Sequence, residues 1–241
     1  MASFHHRIKS GKKGSAAEHA AYISRHGKHD KHEDLVTSGY GNMPPWAKDD
    51  PDLFWKKADI YERANGAVYR EHEVALPSEL TDDQLLELVR QLVSELVRGK
   101  PHQYGVHRPS SSLEDLANAH LHLMFSDRTP DAVDRSPEQT FRRYNSTHPE
   151  KGGCKKDSGG KNRMELRDEV IETRRKSAEL QNAALERFGH EARVDHRSLR
   201  QRGIERRPER HLGQARIRKM SAADKEAYVQ ERRKTRLPSD H

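Results

Sequence analysis

The sequence predicts an α+β domain with an antiparallel sheet, and the order of the predicted elements is the main reason. Residues 71–76 alternate polar and apolar side chains until Pro77, which is the pattern of a half-buried strand. Residues 82–98 follow as a helix that begins after Thr81 and carries its apolar side chains on one stripe. Two further strands come next, separated by a polar, serine-rich connection. A chain that runs strand, helices, strand, helix, strand, strand is typical of an antiparallel α+β domain.

The N-terminal segment is predicted to form a strand and then a helix. Residues 3–8 are strand-like and end in a glycine-containing turn. Ser15 and Glu18 have the spacing of a capping box, so a helix is expected over residues 16–25. Tyr22 is therefore expected on a regular helix, about two turns from its start.

The other elements follow from composition and periodicity. The polar, glycine-rich residues 28–45 are predicted to form a loop that carries Asp34, and a helix is predicted over residues 52–65. The later elements expected are two strands and one long helix, at residues 102–108, 120–126 and 165–188.

Composition favours an anionic partner. The 241 residues include 45 Lys and Arg against 38 Asp and Glu, a net charge of +7, and only 32% of the residues are apolar. No apolar run approaches the roughly 20 residues of a membrane span, and the first residues lack the apolar segment of a signal peptide, so we expect a cytoplasmic protein without membrane insertion. Because Cys154 is the only cysteine, a bound metal must be held by His and carboxylate groups.

The C-terminal part differs in composition from the rest. Residues 193–219 contain ten basic and three acidic residues. We expect residues 191–241 to form a basic segment, partly packed on the domain and partly disordered. Such a segment is either a solvated tail or an arm that contacts DNA.

The pattern His120-Leu121-His122 is the clearest chemical signal in the chain. Residues i and i+2 of a strand project from the same face, so both imidazoles are expected on one side and Leu121 and Leu123 on the core side. His107 lies on the preceding predicted strand, and antiparallel pairing brings it beside the other two. Three imidazoles can hold a metal ion with coordination positions left open. The alternative is a cluster of structural histidines.

Catalysis at a bound metal ion also needs a nucleophile and supporting acids, and the sequence offers candidates for both. Tyr22 needs a base, a metal or a field that favours its phenolate before it can act as a nucleophile. Asp34 and Glu73 are candidate carboxylates, which either accept a proton or orient a ligand histidine. In the simpler interpretation, Asp34 is an ordinary surface acid and Glu73 an ordinary strand-face acid. Composition alone does not show which of the seven tyrosines is the nucleophile.

The order of several short motifs resembles that of the MobA/MobL relaxases, members of the HUH endonuclease superfamily. The resemblance extends to about residue 213. The motifs are Tyr22-Ile23 with Arg25 and Gly27, GNMP (41–44), YERANG (61–66), EVALP (73–77), HLHLM (120–124), RYN (143–145), EKGG (150–153), ARVDHR (192–197), GIER (203–206) and HLG (211–213).

The resemblance implies roles for the candidate residues. It makes Tyr22 the nucleophile, and it implies a divalent Mg²⁺ or Mn²⁺ ion on three ligands, His107, His120 and His122. The supporting acids it implies are Asp34, with Glu33 as the alternative, and Glu73, with Glu71 as its neighbour on the strand face. It also implies a central antiparallel sheet of about five strands flanked by helices. Because the composition shifts after Gly189, we expect residues 1–190 to form the nicking domain.

The implied activity is that of a conjugative relaxase. Such an enzyme nicks one strand at a plasmid origin of transfer, keeps the 5′ end on Tyr22 as a phosphotyrosine, and later rejoins the strand. The implied partners are single-stranded and supercoiled plasmid DNA, relaxosome accessory proteins and a type IV secretion coupling protein, with transfer into the recipient cell on the DNA. Two alternatives remain: a rolling-circle initiator or transposase, in which the tyrosine usually follows the HxH motif, and a non-catalytic DNA-binding accessory protein.

Overall fold

Five strands pair in antiparallel fashion to form one sheet. The computed structural model describes residues 4–109, 119–205 and 214–236. The strands are β1 (His6–Gly11), β2 (Leu35–Gly41), β3 (Tyr69–Ala75), β4 (His102–His107) and β5 (His120–Phe125). Their order across the sheet is β1-β3-β5-β4-β2, so β5 lies at the centre. The predicted α+β class and the sheet of about five strands are confirmed.

Helices pack on both faces of this sheet. The α-helices are α1 (Ala16–Ser24), α2 (Pro51–Tyr61), α3 (Asp82–Val97), α4 (Pro137–Thr140), α5 (Arg163–Arg187), α6 (Gln214–Lys219) and α7 (Ala222–Arg236). Short 3₁₀ turns lie at Gly27–His29, Pro45–Ala47, Pro149–Lys151 and Arg200–Arg202. No helix among the described residues is long and apolar enough to span a bilayer.

Side-chain alternation along β5 separates the two layers. Leu121 and Leu123 are fully buried against α3 and α5, as predicted for the core side of the HxH strand. Met124 belongs to a second apolar cluster, which α1 and α2 form on the opposite face. His120 and His122 share the face of Met124, so both project towards the helix that carries Tyr22.

The prediction of a loop over residues 28–45 is wrong, because that stretch contains β2. The two glycines in this stretch favour a loop, yet each lies against an aromatic ring of β4. A Cβ atom at Gly39 would lie 2.7 Å from the Tyr104 ring, and one at Gly41 would lie 2.7 Å from the His102 ring. The two glycines of the edge strand β2 therefore leave room for the Tyr104 and His102 rings of β4.

The start of α1 also differs from the prediction. Ser15 makes no side-chain capping bond, and Glu18 instead pairs with Lys28 and His29. The cap comes from α2, where the Asp59 carboxylate accepts hydrogen bonds from the backbone N–H groups of three residues, Gly14, Ala16 and Ala17. Helix α1, and Tyr22 with it, is thus anchored on α2.

Most other elements agree with the predictions within a few residues. Thr81 and Gln84 form a full capping box at the start of α3, whereas β1 begins three residues later than expected. In the basic segment, Val194 is buried and its backbone N–H and C=O both bond to the Asn182 side chain of α5. Helices α6 and α7 were not predicted, and the HLG motif at 211–213 lies outside the described residues.

Candidate functional site

Three histidines meet on the α1 side of the sheet. His107 pairs directly with His120 across β4 and β5, and His122 lies two residues further along the same face. One ring nitrogen from each of the three lies within 4.8 Å of the others. The sequence-based expectation that antiparallel pairing gathers these side chains is confirmed. We call His107, His120 and His122 the histidine triad.

A buried carboxylate fixes the orientation of His122. Its Nδ1 lies 2.5 Å from one oxygen of Glu71, whose other oxygen lies 3.0 Å from Nε2 of His19 on α1. Burial raises the pKa of Glu71, but the hydrogen bonds from His122 and His19 outweigh it and hold the pKa well below its usual value. Nδ1 of His122 therefore donates to the carboxylate, and in the neutral ring this tautomer has its lone pair on Nε2. That Nε2 is buried and has no hydrogen-bond partner among the described residues.

His107 is oriented by the end of α1. Its Nε2 donates to the backbone carbonyl of Ile23 at 2.7 Å, which leaves the lone pair on Nδ1. Nδ1 in turn accepts a hydrogen bond from the Arg25 guanidinium at 3.1 Å. Burial lowers the pKa of His107 to about 4, so the ring is neutral near pH 7.

The triad fits a divalent metal ion. Metal-binding histidines usually donate their second ring N–H to a carboxylate or a backbone carbonyl, which is the arrangement of His122 with Glu71 and of His107 with Ile23. The unpartnered, buried Nε2 of His122 is the clearest sign, because an orphaned buried acceptor is costly unless something binds it. Imidazole ligands suit first-row transition metals better than they suit Mg²⁺.

Tyr22 lies next to the triad. Its half-buried ring is 5.8 Å from the ring of His107 and 6.0 Å from that of His122, centroid to centroid. His19 stacks on one side of it at 6.0 Å, and His29 makes an edge contact at 5.4 Å. The candidate nucleophile and the candidate metal ligands, which lie about 85 to 100 residues apart in sequence, are therefore neighbours in space.

Arg25 is the residue that the sequence reasoning missed as a site residue. It ends α1 with φ 55° and ψ 43°, a left-handed conformation that is uncommon for a residue other than glycine. Its guanidinium lies 4.5 Å from the centre of the Tyr22 ring and bonds to the Tyr22 carbonyl, to Asp34 and to His107. The Tyr-x-x-Arg spacing was the available signal, since residues i and i+3 share a helix face.

Asp34 reaches the site through Arg25. Its two oxygens each accept a hydrogen bond at 2.8 Å, from Nε and Nη2 of Arg25. Burial raises the pKa of Asp34, but the guanidinium outweighs it and keeps the pKa below its usual value. Asp34 is thus held as a carboxylate behind the arginine, and the alternative, Glu33, is exposed.

Of the two acids on β3, Glu71 contacts the triad directly. Glu73 pairs with His122 in backbone register, but its carboxylate forms an ion pair with Lys9 of β1. Burial raises the pKa of Glu73 and Lys9 lowers it, with a net decrease. The structure therefore puts Glu71, the strand-face neighbour, in the position of hydrogen-bond acceptor for a candidate ligand.

Two known relatives resemble this chain over most of its length. It is 44% identical over 209 residues to the "43 kDa relaxation protein" of Salmonella typhimurium, an alignment that covers 86% of this chain and 56% of the relative. It is 40% identical over 219 residues to "Mobilization protein A" of Escherichia coli, covering 88% of this chain and 30% of the relative. The chain thus spans about half or less of the length of these relatives.

The fold has a solved counterpart, and the sequence matches a family model. A structure described as "Molecular Basis of Vancomycin Resistance Transfer in Staphylococcus aureus" superposes with a TM-score of 0.59 over 82% of this chain and 100% of that chain, at 21% identity. That likeness concerns the fold alone. The family model matches residues 12–222, a range that includes Tyr22 and the whole histidine triad. Together with the 44% identity to the Salmonella relative, this match establishes that the chain belongs to the MobA/MobL family.

Proposed function

We propose that this chain carries the nicking activity of a DNA relaxase, with Tyr22 as the nucleophile. The observation that carries the proposal is the contact of the Tyr22 ring with His107 and His122 at the end of α1. A phenol beside a candidate metal site is suited to attack a phosphodiester. The relatives named for relaxation and mobilisation support DNA strand cleavage as the reaction.

The reaction exchanges one phosphodiester for another. The Tyr22 Oη forms a bond to phosphorus while the bond from phosphorus to the 3′ oxygen breaks. The phenol loses its proton, and the 3′ oxygen gains one as it leaves as a free hydroxyl. The 5′ end stays on Tyr22 as a phosphotyrosine. Since the number of phosphodiester bonds does not change, the 3′ hydroxyl can attack the phosphotyrosine later and rejoin the strand.

The chain's own residues prepare the metal site and the nucleophile. A divalent ion, when bound, would stabilise the extra negative charge that develops on the phosphate oxygens. Glu71 and the Ile23 carbonyl hold the rings of His122 and His107 in the tautomers that present a lone pair. Mg²⁺ and Mn²⁺ are the proposed ions, and the histidine ligands favour tighter binding of Mn²⁺.

The proposed substrate is plasmid DNA at an origin of transfer, in single-stranded form at the nick. We assign the chemistry to residues 1–190 and non-specific phosphate contacts to the basic segment, residues 191–241. Relaxosome accessory proteins and a coupling protein remain predictions. A rolling-circle initiator or transposase is disfavoured because Tyr22 precedes the HxH motif in this chain.

Replacement of Tyr22 by Phe tests the proposal. The substitution removes one oxygen, so α1 and the ring contacts should persist and binding to a single-stranded origin oligonucleotide should be retained. Cleavage should fall by orders of magnitude, because no hydroxyl remains to attack. Tyr40→Phe, at an exposed tyrosine on β2, is the matched control and should cleave normally.

Mass spectrometry of the wild-type adduct supplies the direct measurement. Peptide mapping should place the DNA on Tyr22. An adduct on another tyrosine, or full cleavage by Tyr22→Phe, would overturn the assignment. DNA binding without any cleavage by the wild-type protein, tested with Mg²⁺ and with Mn²⁺, would favour the non-catalytic accessory protein instead.

A further inference from the structure

The Arg25 guanidinium is shared between the nucleophile's helix, an acid and the histidine triad. Arg25 is 8% exposed, and each of its three nitrogens has a partner. Nε donates to Asp34 Oδ1 at 2.8 Å, and Nη1 donates to the Tyr22 carbonyl at 3.0 Å. Nη2 donates twice, to Asp34 Oδ2 at 2.8 Å and to His107 Nδ1 at 3.1 Å. Only this last hydrogen bond is directed at the triad.

That bond uses the same lone pair that a metal ion would need. Nε2 of His107 donates its hydrogen to the Ile23 carbonyl, so Nδ1 is the only nitrogen of this ring that can bind a cation. Arg25 and a divalent cation therefore compete for Nδ1. The bonds from Arg25 to Asp34 and to the Tyr22 carbonyl do not involve that lone pair, so they can persist after Arg25 releases His107.

We propose that Arg25 exchanges partners: it holds His107 Nδ1 in the metal-free protein and donates the released N–H to the scissile phosphate when a divalent cation is bound. The inference rests on the proposed nicking function. The released donor is fixed in place by Asp34, faces the triad and lies beside the Tyr22 ring. Guanidinium groups bind phosphate oxygens strongly and stay protonated, which suits a buried donor at a phosphoryl-transfer site.

Metal binding without DNA provides the first test. The competition predicts that Arg25→Met, which keeps an unbranched apolar stem, binds Mn²⁺ as tightly as the wild type or more tightly in calorimetry. If Arg25 only supports the architecture of the triad, the same variant should bind Mn²⁺ more weakly. Thermal unfolding checks that the variant is folded. If Arg25→Met does not fold, Arg25→Gln, which also removes the charge, replaces it in both tests.

DNA binding provides the second test, and Tyr22→Phe is used as the background so that no cleavage occurs. The probe is an origin oligonucleotide with either a normal scissile phosphate or a methylphosphonate, in which a methyl group replaces one charged oxygen. With Mn²⁺ present, Arg25→Met should weaken binding of the normal oligonucleotide by about tenfold, the effect of losing one charge-assisted hydrogen bond. Its effect on at least one methylphosphonate isomer should be much smaller. Without Mn²⁺ the Arg25 effect should shrink on both oligonucleotides.

The outcomes separate this inference from the nicking function. An equal loss of affinity for the normal oligonucleotide and both methylphosphonate isomers, or an equal loss with and without Mn²⁺, would overturn the exchange of partners. Failure of the wild-type protein to form an adduct would overturn the proposed function itself. A wild type that forms the adduct while Arg25→Met binds Mn²⁺ more weakly would leave the function intact and reject the role of Arg25.

Discussion

Nδ1 of His122 lies 2.5 Å from a carboxylate oxygen of Glu71, and the other oxygen of that carboxylate accepts a hydrogen bond from His19 on α1. One buried acid on the central part of the sheet therefore connects a candidate metal ligand to the helix that carries the nucleophile. His19 also stacks between Tyr22 and Tyr69, with ring planes within 16° of each other. The geometry of the nucleophile and that of the triad are thus coupled through Glu71.

Replacement of Glu71 by Gln should weaken Mn²⁺ binding by about 10- to 100-fold, because the amide no longer stabilises the His122 tautomer that points its lone pair at the metal. Isothermal titration calorimetry at pH 7.5 measures the effect. Glu73→Gln is the matched control on the same strand face, and we expect less than about a threefold effect, since Glu73 pairs with Lys9 in a partly exposed position. The reverse ranking would identify Glu73 as the acid that supports the metal.

Replacement of Asp59 by Ala should destabilise the protein by about 1 to 3 kcal/mol, because its carboxylate accepts three backbone hydrogen bonds at the start of α1. Urea unfolding provides the measurement. Ser15→Ala serves as the comparison, since the Ser15 hydroxyl does not cap the helix and instead donates to the Lys12 carbonyl. A larger loss for Ser15→Ala would restore the capping box that the sequence suggested.

The local parts of the fold could be predicted from the sequence, and the long-range parts could not. Helix α3 carries its own stripe and capping box, so its bounds agreed to within one residue. Strand β2 was missed because Gly39 and Gly41 signal a loop unless the opposing rings of β4 are known. The cap on α1 comes from Asp59, more than forty residues away, and no local pattern reveals it.

The same distinction applies to the site. Strand periodicity identified His120 and His122, and antiparallel pairing correctly added His107. Arg25 was not singled out as a site residue, because its role depends on β2, which places Asp34 beside the end of β4. Glu71 and Glu73 share a strand face, so periodicity could not choose between them, and the choice depends on which neighbouring side chain each one meets.

The buried pair His6 and His72 predicts acid sensitivity. Their rings are 3.0 Å apart, from Nε2 of His6 to Nδ1 of His72, on the sheet face opposite the triad. Burial, with Arg174 and His5 adding to it, lowers the pKa of His6 to about 3. Burial, with the charges of His6, Lys100 and Arg70, also lowers the pKa of His72 well below its usual value, while Glu71 opposes the shift.

Both rings are therefore neutral in the folded state, whereas in the unfolded chain they take up protons as the pH falls through about 6.5. Stability should be greatest above that pH and should fall by up to about 1.4 kcal/mol per pH unit for each ring below it. Urea midpoints of the metal-free protein between pH 7.5 and pH 5 measure this slope. A double variant, His6→Asn with His72→Asn, should be less stable at pH 7.5 but show a shallower slope. His26→Asn, at an exposed position, should leave the slope unchanged, and an unchanged slope in the double variant would contradict the assignment.

The basic segment should contribute non-specific affinity for DNA, which the salt dependence of binding can measure. Deletion after Gly189 would be a poor test, because Val194 is buried and bonded to Asn182. Substitution of Gln for the exposed Arg193, Arg200 and Arg216 keeps that packing. Each lost contact to a single-stranded phosphate should reduce the slope of log affinity against log salt by about 0.7, so the triple variant should lose up to about 2.

The matched control removes the same charge from outside the basic segment. Arg90 of α3 and Arg167 and Arg187 of α5 are exposed on the helices that cover the sheet face opposite the triad, and their replacement by Gln should leave the slope nearly unchanged. Fluorescence anisotropy of a labelled oligonucleotide, measured from 50 to 300 mM salt with the Tyr22→Phe background, gives both slopes without cleavage. Equal reductions of the slope in the two triple variants would mean that DNA affinity depends on net charge alone. If the slope does not fall in the variant of the basic segment, that segment is a solvated tail. A reduction confined to the first variant would assign the phosphate contacts to the segment itself, because both variants carry the same net charge.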